Sequence, residues 1–454
     1  MRIVYFDIDS LRPDHLGCYG YHRPTSPNID AIAAGGMRFD RFYCSDSPCM
    51  PSRHALFSGR FGINNGVVTH GGPGSKLHIG ERLYGGPQPK NQLLQRRLRE
   101  NGVETVSFTN FHFRHCAVWF ALGWTELHSP NLKSGNETAE EVNAPVMQWL
   151  RQNATQDDYF LHINYWDPHR IYRMDASWAD RFKGYPVAQT WPDEDAIAAQ
   201  QSDPGHFTAT GQFTDHKSTV PLMPGAVRNR RDFEHMITGY DAAIAYTDHQ
   251  VGVVMEELER QGVLDETAII ISGDHGDNFG EHGIYSDHVC ADEAIHHISL
   301  IIRWPGVAPE GGCCDAMLYN VDLSATLCEL TGGPIPAHYD GRSFVDHLRG
   351  KDGFERDALV WGHGLYTLQR AVRTRQHLMI RTYDDYGYRF DPVALYDMDA
   401  DPYQTTNLCD QRPDVMREMD HLLTAWLHEQ SAKPYAIPDP MQVVLRERRA
   451  RRPA

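Results

Sequence analysis

Three short segments bring together residue types that do chemistry only in combination. Ser47-Pro48-Cys49-Met50-Pro51-Ser52-Arg53, followed by Ser58-Gly59-Arg60, sets a thiol four residues ahead of a guanidinium. If a helix starts at the cysteine, that spacing puts Arg53 one turn later on the same face, in reach of an anion or hydroxyl formed there. Asp7-Ile8-Asp9-Ser10 ends a β-branched run, and strand residues two apart share a face, so Asp7 and Asp9 point the same way. Ser272-Gly273-Asp274-His275-Gly276-Asp277 closes a second such run. Carboxylates with one imidazole make a hard donor set that favours Ca²⁺, accepts Mg²⁺ and tolerates Mn²⁺ or Zn²⁺. Taken singly, such a cysteine reads as a buried packing thiol and an Asp-His pair as a turn with a surface histidine. The three segments together argue for a site.

The Cys49-x-Pro51-x-Arg53 core resembles the signature of the type I sulfatases, the sequence recognised by the machinery that oxidises a cysteine to formylglycine. Met50 stands where a small residue is usual, and Ser58 where Thr is commonest. Asp9 and Ser10 fall where that family commonly carries an Asp-Asp pair bound to a divalent cation; Asp7 either supplies the missing carboxylate or stands behind the ligands. The resemblance implies that Asp274 and His275 bind the same ion, next to the group derived from Cys49. It also implies a Lys and several His around the sulfate. Arg114-His115, His169 in Asp167-Pro168-His169, and His288 after Ser286-Asp287 are the residues offered. No Lys lies near position 288, which gives His288 the task of protonating the leaving oxygen. Similarity continues through Ser26-Pro27-Asn28-Ile29-Asp30, Tyr240-Asp241 with Asp248, Arg303-Trp304-Pro305-Gly306 and Leu395-Tyr396-Asp397 to Asn407-Leu408, so it spans nearly the whole chain.

What this implies is hydrolysis of a sulfate ester, a sulfated carbohydrate being favoured, by hydrated formylglycine at position 49. One hydroxyl attacks sulfur, Arg53 holds the diol, and His115 is the base that lets the second hydroxyl expel sulfate. His169 and His288 contact the sulfate or the leaving oxygen. The nearest rival is a phosphonate monoester or phosphodiester hydrolase of the same superfamily; a catalytically silent anion-binding protein is the rival from another class.

The elements that must position these residues are legible around them. Ile3 to Ile8, Thr105 to Phe108, Tyr159 to Tyr165 and Thr267 to Ser272 read as strands, and Asn28 to Ala34 and Phe233 to Arg260 as helices. In the latter, Ile244, Val251, Met255 and Leu258 share one face. Alternating strands and helices predict an α/β fold, with a large, mostly parallel mixed sheet flanked by helices, as in the alkaline phosphatase superfamily. The site then lies at the carboxyl ends of the strands. From about 170 to 230 the chain is rich in Pro, Gly, Asp and Thr, and is expected to be a long irregular insertion that shapes the pocket. Runs at Ala358 to Trp361 and His377 to Thr382 and a helix at Pro413 to Glu429 predict a small α+β domain. The division is placed at 1–350 and 351–454. The basic run Arg446 to Arg452 reads as a solvated or frayed end, with no catalytic role.

Bulk properties narrow the partners. A formal charge of −17 repels nucleic acid and anionic lipid, so an anionic substrate needs a local basic pocket. No run of about 18 apolar residues and no leader-like start is present. A cytoplasmic protein is expected, or a periplasmic one if a leader preceded residue 1. Nine cysteines in no ladder or framework spacing suit a reducing compartment. The expected partners are the sulfate ester and a formylglycine-generating enzyme, with a homo-oligomer left open.

Overall fold

The structure, a computed structural model, describes residues 1–75, 93–133, 135–210 and 220–451. Its main layer is an eight-stranded sheet. In spatial order the strands are Gly312–Cys314, Met37–Phe39, Leu300–Arg303, Thr267–Gly273, Arg2–Ile8, Tyr159–Tyr165, Glu104–Phe108 and Glu126–His128. The last five are mutually parallel, and Leu300–Arg303 runs antiparallel to Thr267–Gly273.

Arg2–Ile8, Tyr159–Tyr165 and Thr267–Gly273 are buried along their whole length. Strands covered on both faces lose the polar alternation of a half-exposed sheet, hence the unbroken apolar runs. The two faces are still distinguishable by parity. Val4, Phe6 and Ile8 enter one apolar cluster with Val142, Val146, Ile237 and Ile244, whereas Ile3 and Tyr5 enter another with Met50, Leu56 and Phe57. Asp7 and Asp9 continue the odd series, so they face the helix Cys49–Ser58 rather than the long helix behind the sheet.

That long helix, Arg230–Arg260, starts where the Asn229 side chain accepts the Asp232 amide at 3.0 Å. Its Tyr240 hydroxyl donates to the Ser10 carbonyl at 2.7 Å and accepts the Arg12 amide at 2.9 Å, which fixes the loop leaving the first strand. Asp248 accepts the Asn28 and Ile29 amides and so serves the first turn of Pro27–Ala34. Asp241 accepts from the Tyr21 hydroxyl at 2.7 Å and from Arg23 at 2.8 Å, so both acidic positions that the sequence resemblance picked out in this helix are structural.

A second, five-stranded sheet runs Val393–Asp397, His377–Asp384, Leu368–Arg373, Leu359–His363 and Asp46–Ser47. Four strands come from the C-terminal part and the fifth from the segment just before Cys49. Pro413–Ala432 packs Val415, Met419 and Leu423 on one face of this sheet.

Two expectations are corrected. The basic tail does not fray: Pro440–Arg451 is a helix whose Met441, Val444 and Leu445 bury against Val68 and Leu368. Its Arg448 donates to the carbonyls of Leu365 and Tyr366, the former at 2.7 Å. Apolar residues at i, i+3 and i+4 outweighed the charge run, which simply lines the solvent side; residue 452 of that run lies outside the described residues. The insertion after 170 is not wholly irregular either. It holds a helix at Glu194–Gln200, begun by Asp193, whose side chain accepts the Ala196 amide at 2.8 Å. Residues 211–219 of the insertion lie outside the described residues. All nine cysteines are unpaired, and among the described residues no helix is long and apolar enough to cross a membrane.

Candidate active site

Four adjacent parallel strands deliver side chains to one place. Arg2–Ile8 ends at Asp9, Thr267–Gly273 at Asp274 and His275, Tyr159–Tyr165 runs on to His169, and Glu104–Phe108 to Arg114 and His115. Residues 265 positions apart in sequence meet because Ile8 and Gly273 are register partners.

Opposite them, Cys49 is the first residue of the helix Cys49–Ser58, and Arg53 lies one turn on, as its spacing required. The Arg53 guanidinium grips Asp7 with two parallel bonds, Nε to Oδ2 at 2.7 Å and Nη2 to Oδ1 at 2.9 Å. Nη1 donates to Asp9 at 2.9 Å and to Asp274 at 2.6 Å. These bonds go to carboxylates, so Arg53 neutralises the acidic cluster from within, where the sequence suggested it would face the group at position 49. Ser10 completes the arrangement, donating its amide to Asp274 at 3.0 Å and its hydroxyl to Asp9 at 3.1 Å. It does so from a left-handed backbone, φ 58°, a strain that sites of this kind tolerate.

Asp9, Cys49, Asp274 and His275 each place a donor atom within 4.8 Å of the others, all four buried. Asp7 lies outside this quartet, held by Arg53 and by His162 at 3.2 Å. The His275 Nδ1 donates to the Gly276 carbonyl at 2.9 Å, and burial, with His288 nearby, pushes its pKa down to about 3. Its ring is therefore neutral, and its Nε2 lone pair faces Cys49 Sγ at 3.1 Å, where it accepts the thiol proton. If all three were ionised, these buried carboxylates against one guanidinium would leave two negative charges uncompensated. The strain is visible on Asp274, which burial and the charges of Asp9 and Asp7 raise well above the usual carboxylate range, despite Arg53. Asp9 goes the other way: burial favours its neutral form, but Arg53, His169 and His275 hold it low. A divalent cation matches both the missing charge and the O, O, N donor set.

Burial, Asp9 and Asp274 push the Cys49 thiol well above its usual pKa. Unmodified, it is protonated at neutral pH and a poor nucleophile.

Behind the sulfur, His169 and His288 also bring a donor atom within 4.8 Å of Cys49 and of each other. Burial favours a neutral His288, yet Asp287 and the Asp277 carboxylate, 2.8 Å from Nδ1, push its pKa up to about 9. It is a cation at neutral pH. His169 donates Nδ1–H to the Arg170 carbonyl and is held neutral by burial. Burial and Arg114 likewise keep His115 neutral, and its Nε2 has no hydrogen-bond partner among the described residues. Arg114 stacks on Trp166 with its guanidinium 4.9 Å from the ring, and its charge is felt at Cys49.

Two members of the site escape the sequence reading. His70 accepts the Met50 amide at 3.4 Å and its ring centre is 4.6 Å from that of His115; a histidine between Thr69 and Gly71 carries no local signal. Asp277 was visible two residues past His275, but its pairing with His288 depends on the turn between them.

Residues 2–333 match the sulfatase family model, and residues 280–433 match the model for the C-terminal part of N-sulphoglucosamine sulphohydrolase. The chain belongs to the sulfatase family. Among relatives of this sulfatase, the N-acetylglucosamine-6-O-sulfatase of Bacteroides thetaiotaomicron is 23% identical over 509 aligned positions, covering 97% of this chain and 87% of the relative. The choline-sulfatase of Rhizobium meliloti is 23% identical over 85% of this chain and 78% of its own. Solved structures share the alkaline phosphatase-like fold. One, in complex with its substrate D-glucosamine-2-N,6-O-disulfate, superposes with a TM-score of 0.76 at 19% identity, over 97% of this chain and 99% of the other. The phosphonate monoester hydrolase of Agrobacterium radiobacter superposes with a TM-score of 0.72 at 19% identity, over 94% and 95%.

Proposed function

We propose that this sulfatase hydrolyses the sulfate ester of a sulfated carbohydrate, with Cys49 converted to formylglycine and a divalent cation held by Asp9, Asp274 and Nε2 of His275. The convergence of those three ligands on Cys49 carries the reading. The named relatives that act on sulfated sugars support the substrate class.

Formylglycine hydrate supplies two hydroxyls on one carbon, one to attack sulfur and one to release sulfate, and an adjacent cation lowers the pKa of the attacking hydroxyl. Arg53 and Ser10 orient the carboxylates that bind the cation; Asp7 fixes Arg53 from behind. His115, neutral and with a free Nε2, is the base that takes the proton of the second hydroxyl. His169 offers a neutral ring nitrogen to the sulfate side. His288, kept protonated by Asp277 and Asp287, donates to the leaving oxygen and replaces the missing lysine. Arg114 adds positive charge where the sulfate oxygens gain negative charge. Calcium fits the oxygen-rich donor set best.

Rates on 4-nitrophenyl sulfate, phenyl phosphonate monoesters and a panel of sulfated saccharides test this. Sulfate release from a saccharide at a higher kcat/KM than from either aryl ester is the expected outcome. A clear preference for the phosphonate overturns the assignment in favour of the related hydrolase chemistry.

A further inference from the structure

A second group of donor atoms converges in the loop between Thr267–Gly273 and Leu300–Arg303, apart from the Cys49 site. A ring nitrogen of His282, the sulfur of Cys290 and a carboxylate oxygen of Asp292 lie within 4.8 Å of one another. Cys290 and Asp292 are buried, and the His282 side chain is 12% exposed. The Nε2 of His282 is 3.8 Å from Asp292 Oδ2 and 3.3 Å from Gln404 Oε1. Around a tetrahedral zinc ion with bonds of about 2.0–2.2 Å to nitrogen and oxygen, such donors stand about 3.3–3.6 Å apart. The three groups therefore need to close by only a few tenths of an ångström, and Gln404 places a further oxygen beside the same nitrogen.

The surroundings hold these groups in position. Buried Asn278 donates Nδ2–H to Asp292 Oδ2, and its Oδ1 lies 3.7 Å from the Cys290 thiol, which donates to it. Asp292 Oδ1 accepts the Ile295 amide at 3.2 Å, leaving Oδ2 to face the group. His282 and Gln404 both keep a left-handed backbone, φ 55° and 57°, a strain that persists where the surrounding structure has a use for it. Gln404 is buried, and among the described residues its amide nitrogen has no partner. Burial, with Glu281 adding to it, pushes the Asp292 carboxyl up to about 6 although His282 pulls it down, so the group is short of positive charge. An ion also has a way in. His282 and Cys290 line a cavity of about 180 Å³ with Gln369, Thr382 and Tyr396 of the C-terminal sheet; Arg389 and Asp391, of opposite charge, line it too.

We propose that His282, Cys290 and Asp292 form a second metal site, which takes Zn²⁺ through an imidazole, a thiolate and a carboxylate. This set differs in kind from the oxygen-rich site beside Cys49: Ca²⁺ and Mg²⁺ prefer oxygen, whereas Zn²⁺ accepts all three donors. On binding, the Cys290 thiol gives its proton to solvent as the sulfur–metal bond forms, and the His282 ring keeps its proton on Nδ1. The ligands bracket Asp287 and His288 in sequence, so the ion braces the loop that carries both.

The test uses Cys49→Ala protein, which lacks the active-site thiol, kept in excess Ca²⁺ and titrated with Co²⁺ as a coloured stand-in for Zn²⁺. One equivalent should bind per chain with a thiolate-to-cobalt charge-transfer band, and added Zn²⁺ should displace it. Cys290→Ser should remove the band. His282→Asn should weaken Co²⁺ binding by about 100-fold. Asparagine tolerates the left-handed backbone at 282, so this variant serves even where Cys290→Ser does not fold. No band in the parent protein, a band that survives Cys290→Ser, or equal Co²⁺ affinity in His282→Asn and its parent would overturn the proposal. None of these readouts depends on sulfate-ester cleavage, so their failure leaves the function proposed above untouched.

Discussion

The Nε2 of His275 lies 3.1 Å from the Sγ of Cys49, although 226 residues separate them. Nothing in either local sequence requires that meeting. It follows from the parallel pairing of Thr267–Gly273 with Arg2–Ile8, and from Ser52 Oγ, which donates to the Asp274 carbonyl at 2.6 Å and ties the Cys49 helix to the histidine's loop.

Arg53 is the positive centre of three buried carboxylates, and removing it leaves uncompensated charge in the cluster. Arg53→Met should cost about 3–5 kcal/mol of stability in the metal-free protein, read as a lower denaturant midpoint. Arg53→Lys should not restore wild-type stability, because a single ammonium cannot reproduce the paired bonds to Asp7. Wild-type midpoints in both variants would show that the cluster is not held by this charge.

The proposed mechanism makes His288 the source of the alkaline limb of the pH profile. Its pKa in the folded protein is raised to about 9, so the proton it gives the leaving oxygen is present below that pH and lost as pH rises through it. kcat should therefore fall on the alkaline side near pH 9. Asp277→Asn removes one of the carboxylates that raise the value, and should shift the limb to lower pH. A limb that Asp277→Asn leaves in place assigns the acid to another group.

Cation binding should appear in stability as well as in turnover. At a free Ca²⁺ concentration of 100 times Kd the native state gains about 2.7 kcal/mol, visible as a rise in Tm over the chelator-treated protein. Asp274→Asn should abolish most of that rise. Equal Ca²⁺-dependent increments in wild type and Asp274→Asn would place the ion elsewhere.

The C-terminal helix should contribute measurably to the fold. Arg448→Ala removes the bonds to the Leu365 and Tyr366 carbonyls and one to Asp384 at 3.2 Å, and Leu445→Ala empties a buried contact. Each should lower stability by about 1–4 kcal/mol. Denaturation midpoints unchanged in both would mean that the helix is undocked in solution.

What could be read from the chain alone was whatever local spacing encodes. Asp7 and Asp9 share a face because strands repeat every two residues, and Arg53 falls one turn beyond Cys49 because helices repeat every 3.6. Asp274 and His275 were marked by the strand they terminate. Contacts set by tertiary packing left no such trace: His70 against His115, or His363 joined to Ser47 across 316 residues. The docking of the tail helix is hidden for the opposite reason. The charges of Arg446 to Arg451 dominate the local pattern, while the apolar triplet Met441, Val444 and Leu445 just before them anchors the helix.

Peptide mass spectrometry across Cys49, on protein made alongside a formylglycine-generating enzyme and shown to release sulfate, bears most directly on the mechanism. Active protein should carry a Cys49 peptide lighter by about 18 Da than the encoded thiol form, with activity proportional to the converted fraction. Full sulfatase activity in protein whose Cys49 remains an unmodified thiol would contradict the account.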